Sequence, residues 1–507
     1  MKNTPRHIEI MDTTLRDGEQ TSGVSFSAFE KLTIAQLLLT ELKVDRIEIA
    51  SARVSEGEFQ AVKKVTEWAN ANGYLDKVEV LTFVDGEVSV KWMLDAGAKV
   101  MNLLTKGSLN HLTHQLNKKP EEHFADIAKV LALANSKGLQ CNVYLEDWSN
   151  GMRHSKEYVL QYLDFLQHQP IKRVLLPDTL GVLIPSATFA YISELVKRYP
   201  QMHFDFHAHN DYDLSIANVM EALKAGVHGL HLTVNGMGER AGNAPLASAI
   251  AVINDYMPEL KTSVAEKALY SVSKLVETFS GFRISENKPV VGENVFTQTA
   301  GIHADGDKKN NLYFNDLMPE RFGRQRKYAL GKTSGKANIE KNLQQLGIQL
   351  SDADLKKVTQ RIIELGDLKE NVTQADLPYI ISDILDSTIM VDKVQIKNYV
   401  LTSSKNIKPS VTLSISIDGE LFEEQAEGDG QYDAFVNALK SIYKRKKLEL
   451  PALLDYVVHI PPGGKSDALC ETIITWEYKN KEFKTRGLDS DQTVAAIKAT
   501  EKMLNSI

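Results

Sequence analysis

One pattern restricts the fold of this chain more than any other. Eight times between Ile8 and Val234 a short apolar run is followed by a loop and a stretch with helical spacing. The runs are IEIMDTT from Ile8, VDRIEIA from Val44, VEVLTFV from Val78, AKVMNLL from Ala98, LQCNVYLE from Leu139, RVLLPDT from Arg173, MHFDFHAH from Met202 and GLHLTV from Gly229. Between them, stretches such as SAFEKLTIAQLLLTEL and EEHFADIAKVLALANSKG carry apolar residues at amphipathic-helix spacing. Eight strand–helix alternations predict an α/β fold, a (β/α)8 barrel of parallel strands. A doubly wound open sheet uses the same units, but the count of eight and the lack of an opening glycine-rich dinucleotide fingerprint favour the barrel. The Val, Ile and Leu of the strands are expected to fill the barrel core.

Composition narrows the function classes. The 507 residues exceed what one core usually holds, so at least two domains are expected. Lys and Arg total 59 against 66 Asp and Glu, a net charge of −7, which argues against a general nucleic-acid binder. Two cysteines, Cys141 and Cys470, build neither a disulfide framework nor a cysteine-rich zinc site, and read as buried small hydrophobes. The N-terminal MKNTPRHIEIMDTT lacks the apolar core of a signal peptide, and no apolar run is long enough to span a bilayer. A cytoplasmic protein without membrane or nucleic-acid partners is expected. Any metal ligands must then be His and carboxylate.

Three segments follow from the patterning: a barrel over 1–262, helical connector regions over 263–390, and a tail over 391–507. The tail contains a weak internal repeat. VTLSISIDGELFEEQAEGDGQYDAFVNALKSIY and ETIITWEYKNKEFKTRGLDSDQTVAAIKATEKML each read as two strands and a helix, with a further strand-like run before each. Two βββα units make a small α+β domain.

Polar residues gather where the barrel runs end, which in such a barrel is the face that carries active sites. In HAHND, His207 and His209 are two apart in a strand and so face one way. Two imidazoles with a carboxylate such as Asp17 from the first strand end are a common divalent-metal set, although an HxH pair alone fits two polar strand residues equally well. His203 takes a structural reading. Arg16, beside Asp17, is suited to a carboxylate or carbonyl substrate. Glu146 ends the fifth run and serves as a base, a substrate orienter or a salt-bridge partner. NGMGERAGN, Asn235 to Asn243, supplies glycines that let a backbone approach a ligand, and Asn243 offers a neutral oxygen.

DTTLRDGEQ, LPDTLG, HAHNDYDLSIAN, NGMGERAGNAPL and FTQTAGIHADG, in that order, resemble the family of 2-isopropylmalate, homocitrate and citramalate synthases, over essentially the whole chain. The resemblance implies a (β/α)8 TIM barrel, a helical connector and a regulatory βββα-repeat domain. It also implies condensation of acetyl-CoA with a 2-oxo acid, followed by thioester hydrolysis. Asp17, His207, His209 and Asn243 would bind a divalent cation (Mn2+, Zn2+ or Mg2+). Arg16 and Thr179 would hold the 2-oxo acid, with Arg16 and Glu146 catalytic. His303 and Tyr313 match catalytic residues that reach the site from the partner of a homodimer. Asn235, Gly236, Gly238, Glu239, Arg240 and Gly242 would line the acetyl-CoA site.

Within the family, VYLEDWSNG, NLLTKGS and DGDKKNNLY resemble the subset that selects pyruvate and makes (R)-citramalate. In that subset two leucines and a tyrosine crowd the substrate methyl pocket, and Leu81, Leu104 and Tyr144 fall at the matching strand ends. Overpacking would exclude an isopropyl group. The alternative is a 2-isopropylmalate synthase. The tail would bind a branched-chain amino acid, isoleucine for the first reading and leucine for the second. The turn GDGQYDAF departs from the family's Gly-x-Gly-Pro, and Tyr432, Asp433 and Tyr456 are the pocket candidates.

Overall fold

The computed structural model describes residues 5–299, 312–367, 372, 374–385, 393–459, 470–479 and 481–507. All eight apolar runs are strands: β1 Glu9–Asp12, β2 Arg46–Ser51, β3 Val78–Phe83, β4 Val100–Lys106, β5 Gln140–Glu146, β6 Arg173–Asp178, β7 Phe204–Ala208 and β8 Gly229–Leu232. They pair in parallel in sequence order, and β8 returns to β1 to close the barrel. The helices between them start where the sequence supplies caps. Ser27 and Glu30 form a capping box on the helix Ala28–Thr40, and Ser55 caps Glu56–Asn72. Gly73 ends the latter at φ 77°, where a side chain would be strained.

The barrel lumen differs from the sequence expectation. The apolar strand residues Ile47, Ile49, Val80, Leu103, Val143, Leu176, Phe206 and Leu230 join one core with helix residues such as Leu38, Val65, Ile127 and Leu163. The alternate residues point the other way and are largely polar. Several of their bonds join strands that are not neighbours, as Arg46 to Asp205, Asn142 to Glu79 and Asn102 to Glu48 do, so they run through the lumen. Arg46 on β2 donates to Glu79 on β3 at 3.0 Å and pairs with Asp205 on β7. Asn142 on β5 reaches Glu79 at 3.2 Å and Asn102 at 2.8 Å, and Asn102 reaches Glu48 at 2.7 Å. Glu48, Glu79, Asn102, Asn142 and Asp205 are fully buried. Only above this polar layer does a small apolar one follow: Met11, Leu81, Tyr144 and Leu175, with Leu104 against them.

The chain divides into two compact units, Met1–Phe296 with Phe314–Arg326, and Thr297–Tyr313 with Lys327–Ile507. In the second, helices Lys336–Gln345, Asp352–Asp367 and Leu377–Leu385 share a core around Ile339, Val358 and Ile381. The repeat forms two three-stranded antiparallel sheets, Val394–Ser404, Ile407–Ile417, Glu420–Glu427 and Ala452–His459, Cys470–Tyr478, Lys481–Asp489. The helices Gln431–Lys446 and Gln492–Asn505 follow the first and second sheet respectively. Alternate residues Val411, Leu413 and Ile415 of one central strand, and Ile474 and Trp476 of the other, enter a common core with Phe435, Leu439 and Met503. Cys141 and Cys470 are both buried free thiols.

Removing one member of a buried ion network strands its partners. Arg46→Met should therefore destabilise the barrel by about 3–5 kcal/mol. Denaturant unfolding followed by tryptophan fluorescence measures this, and a loss below about 1 kcal/mol would mean the lumen carboxylates do not depend on Arg46.

Candidate active site

The strand ends on one face of the barrel enclose a cavity of about 170 Å³. Its lining includes Arg16, Asp17, Leu81, Leu104, Tyr144, Glu146, Thr179, His207, His209 and Glu239, all named from sequence, and also Gln20 and Pro177. Asp17, His207 and His209 each present a ligand atom, and those atoms lie within 4.8 Å of one another. His207 Nε2 is 3.1 Å and His209 Nε2 3.9 Å from Asp17 Oδ2. All three side chains are buried. Burial pushes the Asp17 carboxyl up, but Arg16 and the histidines outweigh it and hold it well below the usual carboxylate range. Burial lowers His209 to about 4, so its imidazole is neutral and available as a ligand at neutral pH.

Whether this set suits a cation is decided by what it leaves unsatisfied. Among the described residues, Asp17 Oδ1, His207 Nδ1, His209 Nδ1 and Asn243 Oδ1 are buried without a hydrogen-bond partner. Asn243 spends its Nδ2 on Met237 O at 2.9 Å, which leaves its oxygen as an acceptor, and its backbone bridges to His209. Buried oxygens without a donor are costly unless something positive meets them. A borderline-hard divalent ion fits two imidazoles and oxygen donors.

Arg16 is fixed from three sides. Its Nε donates to Glu48 at 2.6 Å, its Nη1 lies 3.2 Å from Asp17, and its Nη2 meets the Tyr144 hydroxyl at 3.4 Å. With five N–H donors it keeps free ones for a substrate carboxylate. Glu146 is ion-paired with Lys106. Thr179 accepts from Asp147 N at 2.9 Å through its hydroxyl.

The glycine loop serves mainly its own geometry. A Cβ at Gly238 would lie 2.2 Å from Asn243 Nδ2, and one at Gly242 2.0 Å from Gly236 O. Arg240 forks onto Asp211 at 2.7 and 3.0 Å and donates to Thr179 O at 2.8 Å. Asn235 is buried and bonds Ser273 through both its amide nitrogen and oxygen, so its side chain is not in the cavity. His203 pairs with Asp205 at 2.9 Å. His303 lies outside the described residues. Tyr313 is exposed and belongs to the second unit. In the tail, the Tyr432 and Tyr456 rings are 5.3 Å apart and Tyr432 bonds Thr500 at 2.8 Å. Asp433 instead accepts from Asp429 N at 2.9 Å within its own turn.

Sequence reading missed Glu48 and His231 as parts of this architecture. The signal was there: a charged or polar residue at alternate positions of an otherwise apolar strand, as in RIEIA and GLHLT.

Residues 7–276 match the HMGL-like family model, 290–370 the homocitrate synthase post-HMGL domain-like model, and 371–507 the LeuA allosteric (dimerisation) domain model. The chain is 32% identical to the (R)-citramalate synthase of Methanocaldococcus jannaschii, over 99% of both chains. The chain belongs to the family of 2-isopropylmalate, homocitrate and citramalate synthases. The 2-isopropylmalate synthase of the same organism is 31% identical, over all of this chain and 95% of the relative. Members on either side of the substrate division are thus equally similar, and geometry has to separate them.

The donor set predicts tight binding of one Mn2+ or Zn2+ ion per chain, measurable by calorimetry. Asp17→Ala or His207→Ala should weaken it at least about 10-fold; wild-type affinity in both variants would remove the site.

Proposed function

We propose that this protein condenses acetyl-CoA with pyruvate to give (R)-citramalate and CoA. The observation that carries the choice of pyruvate is the apolar layer beneath the donor set. Leu81, Leu104 and Tyr144 meet there with Met11 and Leu175, and Tyr144 is 2% exposed. A 2-oxo acid whose carboxylate faces Arg16 directs its alkyl group at this layer. A methyl fits; an isopropyl group overpacks it at a cost of ~1–3 kcal/mol.

Asp17, His207, His209 and Asn243 would hold the divalent cation, which, when bound, supplies Lewis-acid polarisation of the 2-oxo group. Arg16 meets the carboxylate bidentately, and its contacts to Glu48 and Asp17 fix its plane beforehand. Thr179, anchored to the Asp147 amide, closes the other side of the substrate. Glu146, held by Lys106, orients the substrate at the cavity mouth. Glu239 to Gly242 face the acetyl-CoA thioester, while Arg240 braces that loop through Asp211. His303 and Tyr313 complete the site from a second protomer of a homodimer. The tail acts as an isoleucine-responsive regulatory domain, with Tyr432 and Tyr456 as its pocket walls.

A second reading, 2-isopropylmalate synthase with leucine feedback, draws on the equal similarity to that branch. Thiol release from acetyl-CoA separates the two. Pyruvate should be used at least about 10-fold better than 2-oxoisovalerate, with isoleucine lowering the rate. Equal or reversed preference, with leucine inhibition, would establish the second reading. Tyr144→Ala should shift the preference toward 2-oxoisovalerate by about 10-fold or more, and unchanged selectivity would sink the pocket assignment.

A further inference from the structure

The wall that Tyr144 forms is only as selective as it is immobile, and apolar packing does not hold its outer end. That end carries a hydroxyl in a fully enclosed place, 2.9 Å from His231 Nδ1 on β8. His231 is 1% exposed, and its other ring nitrogen, Nε2, is 3.3 Å from Asp205 Oδ2. Asp205 is paired with Arg46, so it is a carboxylate and accepts only. His231 must therefore donate through Nε2–H, which leaves Nδ1 as the acceptor for the Tyr144 O–H. The Tyr144 oxygen in turn faces Arg16 Nη2 at 3.4 Å. The bonds run one way, from Arg16 through Tyr144 and His231 to the Asp205–Arg46 pair of the lumen. Burial lowers His231 to about 3, so the ring stays neutral in this role. The two rings meet edge to face, with centroids 5.5 Å apart.

We propose that His231 is a positioning residue for substrate selection: it fixes the tilt of Tyr144 and so the depth available to the alkyl group of the 2-oxo acid. The inference rests on the reading of Tyr144 as the wall against larger substrates. Without the bond the phenol ring is free to swing toward Arg16 or Glu48, which lies 3.4 Å from the same hydroxyl. The chain would then accept 2-oxobutyrate and 2-oxoisovalerate better, with pyruvate use less affected.

The experiment compares kcat/KM for pyruvate, 2-oxobutyrate and 2-oxoisovalerate in the full-length enzyme, together with melting temperatures. His231→Gln keeps a donor for Asp205 but places no acceptor at Nδ1. Tyr144→Phe cuts the same bond from the other side and keeps the ring. Both are expected to raise the ratio of larger substrate to pyruvate about 10-fold. The double variant should show no more than either single one, because one bond is removed in all three. His231→Asn puts its amide oxygen where Nδ1 was, and should restore a wild-type ratio. Lower melting temperatures with an unchanged ratio in His231→Gln and Tyr144→Phe would overturn the proposal, leaving His231 a merely structural residue. If Tyr144→Ala shifts the ratio while these two do not, only this inference fails. If Tyr144→Ala does not shift it either, the wall reading itself fails.

Discussion

The barrel depends on the pairing of Arg46 inside its lumen. A guanidinium enclosed by protein loses its hydration, a cost of several kcal/mol that only close, well-oriented carboxylates offset. Glu79 supplies one from the neighbouring β3 and Asp205 another from β7 across the lumen, and the pair with Glu9 at 3.1 Å adds a third from β1. These contacts fix where β1, β2, β3 and β7 stand relative to one another. A purely apolar filling would hold the strands together with less discrimination between registers, since dispersion and burial are nearly indifferent to a small slide. Directional bonds in a low-dielectric interior are not.

From that base, order is passed upward by residues that each satisfy the next. Asn142 and Asn102 link Glu79 to Glu48, and Glu48 grips Arg16. Asp205 takes His231, which takes Tyr144. Both branches end at the cavity. Among the described residues, the lumen layer leaves Asn142 Oδ1 without a hydrogen-bond partner, whereas at the mouth Asp17 Oδ1, His207 Nδ1, His209 Nδ1 and Asn243 Oδ1 are without one. Orphaned buried atoms lower stability wherever they occur. What separates this cluster from ordinary packing is that Asp17, His207 and His209 also bring one ligand atom each within 4.8 Å of the others.

The sequence made the barrel legible because each strand carries an apolar face toward its helices, and eight such faces leave eight runs. The lumen was hidden by the same fact. The outward residues Ile47 and Ile49 dominate the RIEIA pattern, and the inward Arg46 and Glu48 read as interruptions. The donor set was legible for a different reason: metal ligands sit at strand ends, where HAH and RD stand out against loops. Leu81, Leu104 and Tyr144 come from three strands, so their meeting was accessible only through the resemblance, as their spacing says nothing of it. Asn235 and Asp433 show the opposite limit. Each has a suitable side chain in a suitable motif, and each is used up locally, Asn235 on Ser273 and Asp433 on its own turn.

The floor of the cavity joins two kinds of constraint that act differently on a substrate. Met11, Leu81, Leu104 and Leu175 exclude volume, but aliphatic side chains adapt by small rotamer changes, and a pocket made of them alone discriminates a methyl from an isopropyl group only modestly. Tyr144 is rigid in itself and is bonded at its tip to a ring that is bonded in turn to a buried ion pair. To yield to a larger alkyl group it must break a hydrogen bond in a place where no water replaces it. Leaving the His231 nitrogen unsatisfied adds about 1–3 kcal/mol to the cost of overpacking. On the proposed reading, selectivity for the smaller acid is tied to the polar layer beneath the pocket, and the charge network that joins the strands of the barrel is also what stiffens its apolar floor.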